Sequence, residues 1–167
     1  LFFFFLRKAP MRYVLEFFTI ILSHPTKFCQ YYILLIENFN LYSDEDGVKH
    51  IRIKARPNKW HENDCPFCHK SCPAYDKHSS RPTTWRGLDW GGILVEVEYQ
   101  THRIICLEHG VYVAEVPWAY PGSRFTKDFD LTVAWFASKI KKSTTSYFMR
   151  VDWETVGRCV NRTLHDL

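Results

Sequence analysis

Residues 65 to 76 read CPFCHKSCPAYD. Cys65 and Cys68 form a C-x-x-C pair, and Cys72 follows four residues later. Residues 106 to 110 read CLEHG, which spaces Cys106 and His109 as C-x-x-H. The combined pattern is C-x2-C-x37-C-x2-H. Two ligand pairs on tight turns, separated by a strand-bearing insert, form the arrangement of a zinc ribbon, in which each turn aims two donor atoms at one point. Cys65, Cys68, Cys106 and His109 are therefore the expected ligands of a structural Zn2+. Four protein donors fill the tetrahedron and leave no position for a reactive water. In zinc-finger peptides such binding supplies about 10 kcal/mol or more of folding energy. Cys72 is the surplus thiol: it either replaces His109 as fourth ligand or stands beside the site. A redox role for Cys65 and Cys68 calls for a βαβ context, which the surrounding loop lacks. Cys159 falls in a predicted helix and reads as a small packing residue, and Cys29 has no spaced partner.

On either side of the cysteines the texture is strand-like. Residues 32 to 42 and 48 to 57 flank the acidic turn SDEDG, residues 43 to 47. In the second run Ile51, Ile53 and Ala55 alternate with His50, Arg52 and Lys54. Period two predicts a half-buried strand with a basic outer face, and the pair reads as a β-hairpin. Residues 57 to 83 are punctuated by Pro and Ser and read as loop. Ile93, Val95, Val97 and Tyr99 again alternate with polar residues. This predicts a strand, a turn near Thr101-His102, and RIIC (residues 103 to 106) as its return strand. GVYVAEVPW (residues 110 to 118) is expected to continue that sheet.

After residue 119 the period changes. Phe125, Phe129, Val133, Phe136 and Ile140 share one face of a helix. Ser123 or Thr126 is placed to cap it, and Asp128 and Asp130 suit its positive end. Residues 141 to 167 read as a short helix capped by Ser143, a turn at Met149-Arg150-Val151, and a longer helix capped by Asp152. On that last helix Trp153, Val156, Val160 and Leu164 fall within about 80° and are expected to be buried. Thr155, Arg158 and Arg162 lie opposite. A polar face with two arginines on the second helix of a helix-turn-helix suits entry into a DNA major groove. Lys139, Lys141, Lys142 and Arg150 flank it and suit phosphate contacts that set register. Arg52, Lys54 and Arg86 extend the basic surface expected on the β part.

The fold class expected is α+β: a β-rich zinc ribbon followed by a three-helix helix-turn-helix unit. The divisions are an aromatic-rich N-terminal extension at 1–30, a β-hairpin plus zinc-ribbon domain at 31–118, and a helix-turn-helix DNA-binding domain at 119–167. The 167 residues are 46% hydrophobic and 24% charged, in the range of folded chains. The net charge of +4 permits nucleic-acid binding without requiring it. Six cysteines, three of them within residues 65–72, favour metal use in a reducing compartment, hence a cytoplasmic location. The apolar runs of the first 30 residues are broken by Arg7, Lys8, Arg12 and Glu16, which argues against a membrane span. The chain opens on Leu1, as a fragment or as sequence upstream of a start such as Met11 would.

From about residue 50 to 165 the sequence resembles the N-terminal half of ISL-three family insertion-sequence transposases. The resemblance rests on CPFCHKSCPAYD, WRGLD (85–89), CLEHG, VPWAYPGSRFT (116–126) and RVDWETV (150–156), in that order. It implies a zinc ribbon and a helix-turn-helix ahead of an RNase H-like domain whose acidic triad binds divalent metal and cuts DNA. It carries over to Cys65, Cys68, Cys106 and His109 as ligands and to residues 143–165 as the DNA reader. No catalytic centre falls in this chain, since the catalytic domain is expected to begin where it stops. Asp128, Asp130 and Asp152 are helix-start residues and are not its acids. His69 stands where a knuckle glycine is usual, and Met149-Arg150 lacks the common turn glycine. The partner implied is double-stranded DNA at transposon ends, with a homodimer allowed and no small-molecule substrate. The competing reading is a zinc-ribbon protein-interaction module, with Trp90, Trp118, Tyr120 and Trp135 as the interface; a thiol oxidoreductase stands third.

Overall fold

The computed structural model describes residues 34–77 and 79–165; the extension at 1–30 lies outside them. Strands β1 (Leu34–Ser43) and β2 (Lys49–Pro57) form the expected antiparallel hairpin. Its turn is closed by the Asp44 side chain, which accepts from Val48 N at 2.8 Å, and by Gly47, whose φ of 77° suits a residue without Cβ. Ile51, Ile53 and Ala55 point inward and are fully buried, as alternation requires.

Two further strands complete this sheet: β3 (Thr83–Arg86) and β4 (Leu94–Tyr99). The order is β1-β2-β4-β3, with β4 parallel to β2 and antiparallel to β3. Ile51, Ile53, Ile93 and Val95 make one core cluster, and Ala55, Trp85, Val97, Trp118 and Ala119 the next. Trp85 and Trp118 meet edge to face at 5.6 Å.

The structure corrects the expected strand pairing. β5 (Arg103–Cys106) does not return against β4, because β2 and β3 already occupy both edges of β4. Instead β5 pairs with β6 (Gly110–Val113) in a separate two-stranded sheet. Residues 73–75 add to its other edge through Tyr75 N to Arg103 O and Ile105 N to Pro73 O, at 2.8 and 3.0 Å. GVYV therefore belongs to this small sheet and does not extend the larger one.

Three helices follow: α1 (Lys127–Lys139), α2 (Lys142–Met149) and α3 (Trp153–His165). The fold is thus α+β. Thr126 caps α1 by accepting from Phe129 N, and Asp152 caps α3 by accepting from Thr155 N at 2.7 Å. Ser143 does not cap α2, which begins two residues earlier than that cap requires: Lys141 is the cap residue and makes no side-chain capping bond. Arg150 closes α2 in the left-handed conformation, φ 52°, without the glycine common there.

Phe129, Val133, Val156 and Cys159 form the helical core. The buried side of α3 differs from the expected stripe. Thr155, Val156, Cys159 and Thr163 face inward, while Trp153 and Leu164 are 61% and 63% exposed. The reason is polar: Arg162 is drawn toward α1 by a buried acid, Asp130, and rotates the helix. Among the described residues, no helix is long and apolar enough to cross a membrane.

Residues 85 to 89 join the sheet to the helices. Arg86 N donates to Arg124 O and Arg86 O accepts from Thr126 N, each at 2.9 Å. The Arg86 guanidinium donates to the carbonyl of Arg150 at 2.8 Å, and Asp89 pairs with both arginines, at 3.2 and 3.6 Å. The α2–α3 turn is thus held from the sheet.

Candidate metal centre and helical surface

Cys65 and Cys68 sit on a turn that follows the short 3-10 helix Lys59–His61. Its backbone closes on itself: Cys65 N donates to Lys70 O, and His69 N to Cys65 O, both at 2.9 Å. His69 takes the left-handed conformation, φ 55°, at the position after the second cysteine. Gly110, φ 83°, holds the corresponding position after His109. A side chain at such a φ is strained by about 1 kcal/mol, and His69 Nδ1 lies 2.6 Å from Glu115 Oε2, which ties this turn to the segment that follows β6.

The second pair lies at the end of β5 and in the β5–β6 turn. The two turns bring Cys65, Cys68, Cys106 and His109 together with their ligand atoms within 4.8 Å of one another. Cys65 Sγ and Cys106 Sγ stand 3.6 and 3.5 Å from His109 Nδ1, and Cys68 Sγ stands 3.8 Å from Cys106 Sγ. Three soft sulfurs and one imidazole around a common point could hold a metal ion. The cysteines back onto Ile104 and Ala114, while Phe67 lies 5.2 Å from the His109 ring and covers the outer side.

The thiols differ electrostatically. The hydrogen bond to His109, helped by backbone N–H groups, pulls the Cys106 thiol down to about 6, so it ionises readily to the ligating form. Cys72 packs beside the cluster, outside the four ligands, and its Sγ donates to Lys70 O at 3.3 Å. Burial, followed by the neighbouring Cys106, pushes its thiol up to about 11.

The residues expected to contact DNA separate into two groups. Arg158 is exposed on α3, and Lys139, Lys141, Lys142 and Arg150 are exposed around the α1–α2 junction and the α2–α3 turn. Lys142 lies over the Trp153 ring at 4.6 Å. Thr155 and Arg162 face the other way. Thr155 is buried and its hydroxyl donates to Asp152 Oδ2 at 2.6 Å; Arg162 makes a bidentate pair with Asp130. A helical wheel could not distinguish these from Arg158 because the buried acid lies on another helix. The same rotation exposes Asn161, which the sequence reading passed over; its signal was its i+3 spacing from Arg158. On the sheet, Arg52 pairs with Glu96, Lys54 with Glu37 and Arg86 with Asp89, so these cations are neutralised within the chain.

The fold and cluster describe an α+β chain with a metal-capable Cys3His centre between the Cys65 turn and the β5–β6 hairpin. Comparison with known proteins adds a relationship. Over 134 residues the chain is 35% identical to the transposase for insertion sequence element IS1557 of Mycobacterium tuberculosis, in strains CDC 1551 / Oshkosh and ATCC 25618 / H37Rv alike. The match covers 79% of this chain and 30% of each relative, so the chain spans less than a third of the curated relatives it matches. No family model matches the chain. No solved structure matches it.

Proposed function

We propose that the chain is the zinc-stabilised, DNA-binding part of an ISL-three type transposase, which recognises the terminal repeats of its transposon. The observation that carries this reading is the 35% identity to an insertion-sequence transposase over 134 residues. On this reading residues 31–118 act as the metal-bearing β unit and 119–167 as the helix-turn-helix, in a cytoplasmic protein.

Zinc suits the cluster for a metrical reason. A tetrahedron with Zn–S near 2.3 Å and Zn–N near 2.05 Å has S···S edges of about 3.8 Å and S···N edges of about 3.6 Å. The separations of 3.8, 3.6 and 3.5 Å in the cluster agree with those edges. The ion would be structural: it would tie the Cys65 turn to the β5–β6 hairpin and leave no coordination site for chemistry.

In the helical unit α3 would lie in the major groove, with Arg158 at the bases. The N-terminus of α2 would meet a phosphate through Lys141, Lys142 and backbone N–H groups that no side chain caps. Lys139 and Arg150 would add phosphate contacts. Thr155 and Arg162 would support the helix from behind and touch no base.

Fluorescence anisotropy on a duplex carrying the element's terminal repeat tests the reading. Affinity should exceed that for a scrambled duplex and fall steeply with salt, the slope giving the number of phosphates neutralised. Equal affinity for both duplexes would remove the terminal-repeat claim.

A protein-interaction module is the second reading, favoured by the exposed Trp135, Trp153 and Leu164 on the helices. Trp118 no longer supports it, being packed in the core. Unchanged DNA affinity after Arg158→Ala, together with a partner lost on Trp153→Ala, would favour this reading over DNA recognition.

A further inference from the structure

α3 turns two different hydrogen-bonding side chains outward within one turn: Arg158 and Asn161, both exposed. Arg158 is exposed but anchored. Its Nη2 donates to Thr155 Oγ1 at 2.8 Å and lies 3.7 Å from Asp152 Oδ1. The Thr155 hydroxyl in turn donates to Asp152 Oδ2, and Asp152 is fixed as the cap of the helix. This chain of bonds holds the guanidinium against the first turn through Nη2 alone, and the side chain stays largely exposed. Asn161 has no side-chain partner among the described residues. Asparagine is a poor helix former, so helical propensity does not account for its place near the middle of α3.

The charge on this face argues for bases over phosphates. Glu154 is exposed one turn before Arg158 and makes no ion pair with it among the described residues. A carboxylate there opposes a surface built only to hold phosphate, whereas base edges offer donors as well as acceptors. Three residues of α-helix advance about 4.5 Å, close to the roughly 3.4 Å between stacked bases. Neighbouring base pairs are therefore within reach of the two side chains.

We propose that Arg158 and Asn161 form a two-residue reading head that selects a guanine and an adjacent adenine in the major groove, with Thr155 and Asp152 as positioning residues for Arg158. Arg is matched to guanine O6 and N7, and Asn to adenine N6 and N7. The inference rests on the DNA-binding reading above.

Selection from a randomised duplex pool, using the full chain loaded with zinc, tests it. The wild type should enrich a motif containing G next to A. Asn161→Ala should flatten the adenine position alone, with a loss of roughly 5- to 100-fold in discrimination there. Arg158→Lys keeps the charge and should flatten the guanine position while non-specific, salt-sensitive binding persists. Thr155→Val keeps the buried shape and should weaken the guanine preference without changing the adenine one, which a merely structural role would not do. An unchanged motif in Asn161→Ala and Arg158→Lys would overturn the reading head and leave DNA binding standing. No enrichment and no duplex binding by the wild type would overturn the DNA-binding reading itself, and this inference with it.

Discussion

Arg162 reaches from α3 to α1 and places Nε and Nη2 each 2.8 Å from the carboxylate oxygens of Asp130, a residue with no exposed surface. Ser123 Oγ adds a 3.3 Å bond to the same carboxylate. The pair fixes the rotation of α3 and decides which of its side chains meet solvent.

Removing one partner strands a buried charge. Arg162→Ala should therefore lower unfolding free energy by about 3–5 kcal/mol, as for other broken buried pairs. The double variant Asp130→Leu plus Arg162→Met should recover much of that loss, since two apolar groups need no partner. Urea titrations of the three proteins check this; a double variant less stable than Arg162→Ala would contradict it.

Metal content should depend on the four clustered residues and not on Cys72. Purified chain should carry about one zinc ion, retained in Cys72→Ser and lost in Cys68→Ser or Cys106→Ser. Mass spectrometry under native conditions measures it directly. Zinc lost from Cys72→Ser would return Cys72 to the ligand set. Chelation should also loosen the β5–β6 hairpin, visible as faster amide exchange of residues 103–113.

Alkaline pH should destabilise the fold. Burial, reinforced by Asp130, pushes the Cys159 thiol from its ordinary value near 9 up to about 12, and burial moves the Tyr99 hydroxyl from 10 to about 12. Both groups are held neutral in the folded chain and ionise earlier in the unfolded one. Their contribution is complete below pH 9 and is lost as pH rises toward 12. Cys159→Ala should therefore show a shallower decline over that window in pH-dependent urea midpoints. A slope equal to wild type would remove Cys159 as the cause.

Arg86→Ala should weaken DNA binding although Arg86 is paired away from the surface. Loss of its bond to the Arg150 carbonyl frees the α2–α3 turn, at a cost of about 1.5–3 kcal/mol for a charge-assisted hydrogen bond. Hydrogen exchange at Val151, whose amide bonds to Ser146 O at 3.2 Å, should quicken in this variant. Unaltered exchange there would mean that the turn holds without the sheet.

Much of this was legible in the chain before folding was considered. Alternation in β2 and β4 is local, and so is the spacing within each Cys/His pair. α1 and α3 announce themselves through period and through the caps Thr126 and Asp152, whereas α2 carries no side-chain cap. What escaped was non-local. Thr83–Arg86 is too short to show a period, and only its partner makes it a strand. The destination of β5 depended on the edges of β4 being taken. The face of α3 depended on an acid 32 residues earlier in the chain. Spacing marks Cys65, Cys68, Cys106 and His109 as candidate ligands, while the place of Cys72 beside that group follows only from how the two turns pack.

The two ligand pairs lie on either side of β3 and β4, both of which run between Cys68 and Cys106. A bound ion would therefore close a loop of about 40 residues around the strand that links β2 to β3. For a cross-link of that span the chain-entropy model gives about 4 kcal/mol of stabilisation, acting through the unfolded state. The ion would steady a four-stranded sheet whose own strands supply none of its ligands, by shortening the crossover that the parallel pairing of β2 with β4 has to close.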